Sequence, residues 1–113
     1  MSEHCLFCRI VTREVAAEIV AENEDCLAFK DAHPEAPVHI LVIPKKHISS
    51  LNDLADGADV GALAMMAAEV AREAGVADSG YRTVINTNGN GGQSVFHLHM
   101  HVLGGRKLTW PPG

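Results

Sequence analysis

His97, His99 and His101 stand at every second position of the stretch SVFHLHMHVLGG, residues 94–105, with an apolar residue in each gap. Successive side chains leave opposite faces of a strand. This spacing therefore puts the three imidazoles on one face and Leu98, Met100 and Val102 on the other. The apolar face has a core to join, but the imidazole face needs a chemical reason, because burying three unpaired rings is costly. Three readings are open. The face is simply exposed and rich in histidine; or it is a metal site, since His-x-His on a strand chelates zinc from one side; or one ring is a nucleophile that its neighbours orient.

Directly upstream lies NGNGGQS. Gly89, Gly91 and Gly92 free the backbone to turn its N–H groups inward around an anion. A glycine-rich hairpin turn is the plainer explanation of the same residues. The segment leads into a strand rather than a helix, so it is neither a P-loop nor a dinucleotide fingerprint. Beside Ser94 and the aligned histidines, it points to a phosphate held next to a nucleophile.

Cys5 and Cys8 form a C-x-x-C pair. A thioredoxin-like redox pair follows a strand, and four upstream residues leave no room for one. Zinc is the functional reading; two small buried cysteines beside a core histidine are the plain one. Cys26, inside an apolar run, reads as a core residue, and His33 in DAHPEAP as a loop histidine.

The elements that position these groups follow from pattern. CLFCRIVTRE, from Cys5, reads as a short N-terminal helix. EIVAE (18–22) and CLAFKD (26–31) read as strands around a turn, and HPEAP as a loop because its two prolines forbid regular pairing. VHILVIP (38–44) is a buried strand ended by Pro44. Val60, Leu63, Ala67, Val70 and Ala74 form the apolar stripe of one main helix, Asp59 to Gly75. YRTVINT (81–87) and SVFHLHMHVLG (94–104) complete about five strands. With one main helix inserted late and no repeating βαβ unit, the expected class is an antiparallel α+β fold.

The 113 residues suit one domain over 1–113, and a balance of 47% hydrophobic to 20% charged residues is that of a globular chain. The core is small enough that a metal or a second copy would help it. A net charge of −5 without a basic stripe argues against a nucleic-acid polymer, though not against a single nucleotide. No apolar run approaches the roughly 20 residues of a membrane span. Three cysteines and no signal-peptide pattern make a reducing, cytoplasmic setting the expectation.

QSVFHLHMHVLGG, together with FCRIVTREVAAEIVAEN, CLAFKD, APVHILVIPKKHIS and the terminal WPPG, resembles the histidine triad (HIT) family across nearly the whole chain. GGRKLTWPPG is most similar to its histidine triad nucleotide-binding branch. The resemblance implies that His99 is the nucleophile and attacks the α-phosphorus of a purine nucleoside phosphoramidate or related anhydride. Water then releases the nucleoside monophosphate from a nucleotidyl-histidine. His101, Ser94 and Asn86 would meet the phosphate, with Gly92 and Gln93 in the loop beside it, and His39 would support the triad. Asp31 would accept from the ribose hydroxyls. Phe7, Ile10, Phe29 and Leu41 would form the slot for the base, although plain core packing explains the same four residues.

The resemblance also implies that no metal is needed for the chemistry. Some similar proteins place structural zinc on positions matching Cys5, Cys8, His47 and His97, which would make His97 structural. They form homodimers with sheets joined edge to edge, main helices packed across the two-fold, and Trp110 reaching toward the partner's site; Met65 and Met66 then suit an interface or a core. Rival functions are a nucleotide-binding regulator with vestigial turnover, a dinucleoside polyphosphate hydrolase of the same fold, and a zinc-dependent hydrolase.

Overall fold

The computed structural model describes residues 4–113. Eight elements follow in order: helix α1 (Leu6–Val11), strands β1 (Ile19–Glu22), β2 (Cys26–Lys30) and β3 (Val38–Pro44), helix α2 (Ala58–Glu73), strand β4 (Tyr81–Val84), one-turn helix α3 (Asn88–Gly91) and strand β5 (Met100–Gly104). The strands form one antiparallel sheet in the order β1-β2-β3-β5-β4.

The sheet is the middle layer, and alternation along its central strands decides what each face meets. Cys26 and Ala28 of β2, Ile40 and Val42 of β3, and Met100 and Val102 of β5 pack against Leu63, Met66, Ala67, Val70 and Ala71 of α2. Leu27, Phe29, Leu41 and Ile43 turn to the other face and pack with Phe7 and Ile10 of α1. Because β3 is buried on both faces, it reads as a continuous apolar run. His39 is its one polar interruption.

The expected α+β class and the five strands are present, with shifted boundaries. The main helix runs 58–73, and Gly75 follows it at φ +79, the left-handed conformation that ends helices. Its buried stripe takes in Met66 and Ala71, whereas Ala74 is exposed. The N-terminal helix is six residues long, and β4 stops at Val84, so Asn86 lies beyond the strand. The largest departure is the last strand, which begins at Met100 rather than Ser94. Leu98 N–H donates instead to the Ile48 carbonyl at 2.6 Å, so the segment before β5 is tied to the loop after β3. Among the described residues no helix is long and apolar enough to cross a membrane.

Candidate functional site

The three alternating histidines divide into separate jobs, and backbone carbonyls make the division. His97 is fully buried, and its Nε2 lies 2.8 Å from the Pro44 carbonyl oxygen. A carbonyl accepts only, so Nε2 carries the proton and Nδ1 is left as a lone pair. That lone pair faces Cys5 Sγ at 3.4 Å and Cys8 Sγ at 3.5 Å. His47 Nδ1 is 3.3 Å from Cys8 Sγ, and its Nε2 is 3.4 Å from Ser49 Oγ.

The donor atoms of Cys5, Cys8, His47 and His97 all lie within 4.8 Å of one another. Around a tetrahedral ion with Zn–S about 2.3 Å and Zn–N about 2.05 Å, sulfur and nitrogen ligands sit about 3.5 Å apart. The observed separations have that size; His97 offers the nitrogen that the Pro44 carbonyl leaves unprotonated, and His47 presents Nδ1. The residues therefore fit a closed Cys2His2 site. Cys5 is the N-cap of α1, and its sulfur accepts the Cys8 N–H at 3.4 Å. Cys26 belongs to the core under α2, where burial pushes its thiol up to about 11.

His99 repeats the logic of His97 with the nitrogens exchanged. Its Nδ1 is 2.7 Å from the carbonyl oxygen of His97, so Nδ1 holds the proton and Nε2 the lone pair. Burial lowers its pKa, opposed in part by that carbonyl and by the Asp31 charge. Phe7 stands edge-on to the ring at 5.1 Å between centroids, and also to Phe29 at 5.4 Å. A neutral imidazole with one fixed tautomer and a free nitrogen is what nucleophilic attack requires.

His101 lies opposite Leu41 on β3, and His39 opposite Leu103 on β5. His39 Nδ1 accepts the Glu35 backbone N–H at 3.0 Å, so its own proton is on Nε2. That nitrogen is 2.9 Å from His101 Nδ1 and 3.4 Å from Asp31 Oδ2. His39 thus donates to His101, and His101 keeps its proton on Nε2. Burial and then the neighbouring His99 and His39 push the His101 pKa down to about 4. Asp31, His39 and His101 also cluster closely enough to hold a metal. The Glu35 N–H works against that use, since it claims the nitrogen that would need the proton for His39 Nε2 to become a ligand.

The other expected residues fall around this row. Phe7, Ile10, Phe29 and Leu41 are each 3–5% exposed and belong to one packed cluster, which borders the His99 ring through Phe7. The glycine-rich loop forms the turn α3, and two amides close it: Gly92 N–H donates to the Gly89 carbonyl and Gln93 N–H to the Asn88 carbonyl, both at 3.0 Å. The Gln93 side chain accepts from Asn88 N–H and donates to the carbonyls of Ser49 and Val95. Gln93 therefore holds the loop in place instead of offering its amide. Ser94 is exposed, Asn86 half-buried, and His33 an exposed loop residue whose N–H donates to Asp31 Oδ1 at 2.8 Å. The carbonyls of Pro44 and His97 and the amide of Glu35 escaped sequence reasoning, since backbone groups carry no residue-type signal.

The family model of the HIT domain matches residues 12–108. Over 115 aligned residues the chain is 51% identical to an uncharacterized HIT-like protein of Synechococcus elongatus, covering all of both chains. A crystal structure of a HIT family hydrolase from Legionella pneumophila superposes with a TM-score of 0.93 at 47% identity, over 97% of this chain and 100% of that one. A Zn-bound histidine triad family protein from Mycobacterium smegmatis superposes with a TM-score of 0.83 at 34% identity, over 95% of this chain and 81% of that one.

Proposed function

The chain belongs to the HIT domain family, and from that premise we propose that it is a hydrolase of purine nucleoside phosphoramidates working through a nucleotidyl-histidine on His99. The Legionella relative's name as a hydrolase supports the reaction class. The observation that carries the reading is the His99 ring, whose Nδ1–H is bound 2.7 Å from the His97 carbonyl, leaving Nε2 as the nucleophile.

His99 Nε2 attacks the α-phosphorus, and the P–N bond to the leaving amine breaks as the new P–N bond forms. The departing nitrogen takes up a proton from solvent, relayed by the exposed Ser94 hydroxyl, and leaves as the neutral amine. The ring then carries positive charge, which the His97 carbonyl at Nδ1–H stabilises. Water next attacks phosphorus, the bond to Nε2 breaks, and nucleoside monophosphate leaves. Exchanging one P–N bond for another is close to isoenergetic, which favours phosphoramidates over phosphodiesters with their poorer leaving groups.

His101 Nε2–H and Asn86 bind the phosphate oxygens beside Ser94, while Gly92 and Gln93 shape the loop that presents Ser94. Asp31 takes the ribose hydroxyls, and the base lies against the wall of Phe7, Ile10, Phe29 and Leu41. Structural zinc on Cys5, Cys8, His47 and His97 would crosslink α1 to the segments that follow β3 and precede β5 without taking part in the reaction. The test is hydrolysis of adenosine 5′-phosphoramidate by wild type and His99→Ala in parallel. The variant should lose roughly 10^4-fold or more in turnover while still binding AMP. Near wild-type turnover would remove His99 as nucleophile, and no turnover in either protein would favour a nucleotide-binding regulator.

A further inference from the structure

The loop between β2 and β3 makes a contact that the reaction above does not use. Residues 32–37 form no ladder, yet Glu35 is held at both of its backbone polar groups. Its N–H donates to His39 Nδ1 at 3.0 Å, and its carbonyl oxygen accepts from Arg106 Nη2 at 3.1 Å, across 71 positions of sequence. Next to Arg106, Gly105 sits at φ +90 against Pro37, where an added Cβ would lie 2.8 Å from the proline Cβ. The turn that follows β5 is thus docked on the loop that precedes β3. These two strands carry His101 and His39.

The Glu35 amide is the only fixed donor in a chain of otherwise reversible choices. An imidazole pair at 2.9 Å can hold its shared proton in either direction, with Nδ1–H of His101 pointing at His39 or Nε2–H of His39 pointing at His101. An N–H aimed at His39 Nδ1 allows only the second, because the first would set two donors face to face beside the buried His39 ring. His101 then has its proton on Nε2, available to an anion, and not on Nδ1, hidden against His39. We propose that Arg106, seated by Gly105, is a positioning residue: by binding the Glu35 carbonyl it holds that residue's backbone so that the Glu35 N–H fixes the tautomers of His39 and His101 and keeps the His101 donor turned toward the phosphate. The tautomer part stands on the contacts alone, while its consequence for turnover rests on the phosphoramidate reading.

The experiment is nitrogen-15 NMR of histidine-labelled wild type, Arg106→Ala and Arg106→Lys, alongside steady-state hydrolysis of adenosine 5′-phosphoramidate. In the wild type, Nδ1 of both His39 and His101 should have the shift of an unprotonated ring nitrogen and Nε2 that of a protonated one. In Arg106→Ala the His101 nitrogens should move toward the average of two tautomers, with kcat falling severalfold and KM nearly unchanged. Arg106→Lys, which keeps one donor for the Glu35 carbonyl, should recover part of both. A protonated Nδ1 on wild-type His39 overturns the proposal. So does an Arg106→Ala variant with lower thermal stability but unaltered tautomers. Tautomers as expected in a wild type that turns nothing over would instead overturn the phosphoramidate reading and leave the tautomer lock standing.

Discussion

At the scale of single residues, the site works by giving each imidazole one protonation pattern. His97 and His99 donate to carbonyls through opposite ring nitrogens, so the first turns an unprotonated Nδ1 to the cysteines and the second keeps its unprotonated nitrogen at Nε2. The shared cost is burial, which lowers the pKa of His97, His99 and His101. For His101, held at about 4 against an ordinary value of 6.5, the sign is definite. Between those two values the unfolded chain binds a proton that the folded chain refuses, so stability falls as pH drops through this window and is unaffected above it. The urea midpoint should therefore decline steadily from pH 7 to pH 4.5, and His101→Gln should show a shallower decline. A slope identical to wild type would mean that His101 is not held neutral. The residue types of the row were legible in the sequence because alternation on one face is a strong pattern. Their tautomers were not, since they depend on two carbonyls and one amide that any residue could supply.

At the scale of elements, α1 is the part least able to stand alone. Six residues give barely two turns, far below the length at which an isolated helix persists. It is held by Phe7 and Ile10 against the sheet and by the sulfur atoms of Cys5 and Cys8 beside His47 and His97. With zinc in that set, Cys8→Ser should destabilise the protein by about 2 kcal/mol or more, on the order of 10 °C in Tm for a domain of this size. Chelation should shift wild type in the same direction and leave the variant almost unmoved, as thermal melts with parallel metal analysis will read. A chelator-insensitive wild type would reduce the four residues to a packed cluster. The C-x-x-C pair was visible in the sequence because ligand spacing is local. The true start of β5 was not: residues 94–99 alternate like a strand, but Leu98 pairs with Ile48, a partner half the chain away. The glycine-rich loop likewise looked open, yet its amides close one helical turn.

At the scale of the whole molecule, the sheet has two free edges, and they differ. β1 carries a register shift between Ile19 and Ala21, and its Glu22 pairs with Arg13 and Lys45, both at 2.7 Å, features that keep an edge from recruiting another strand. β4 has regular pairing with β5 and no such ion pairs among the described residues. On α2, Met65 is 75% exposed beside Gly61 and Ala64, small residues that would let a second helix approach closely. These features support a homodimer joined through β4, with α2 packed on its copy, as the arrangement that covers them. Light scattering should then give twice the chain mass for wild type, and Met65→Glu should shift the population toward monomer. In such an assembly Trp110, 80% exposed, would lie against the partner's leaving group. Trp110→Ala should leave hydrolysis of the simple phosphoramidate within about threefold of wild type and should change the preference between small and aromatic amine leaving groups by roughly tenfold. If Met65→Glu, although monomeric, shows the wild-type preference, then Trp110 does not act across the two-fold, and leaving-group choice belongs to each subunit alone.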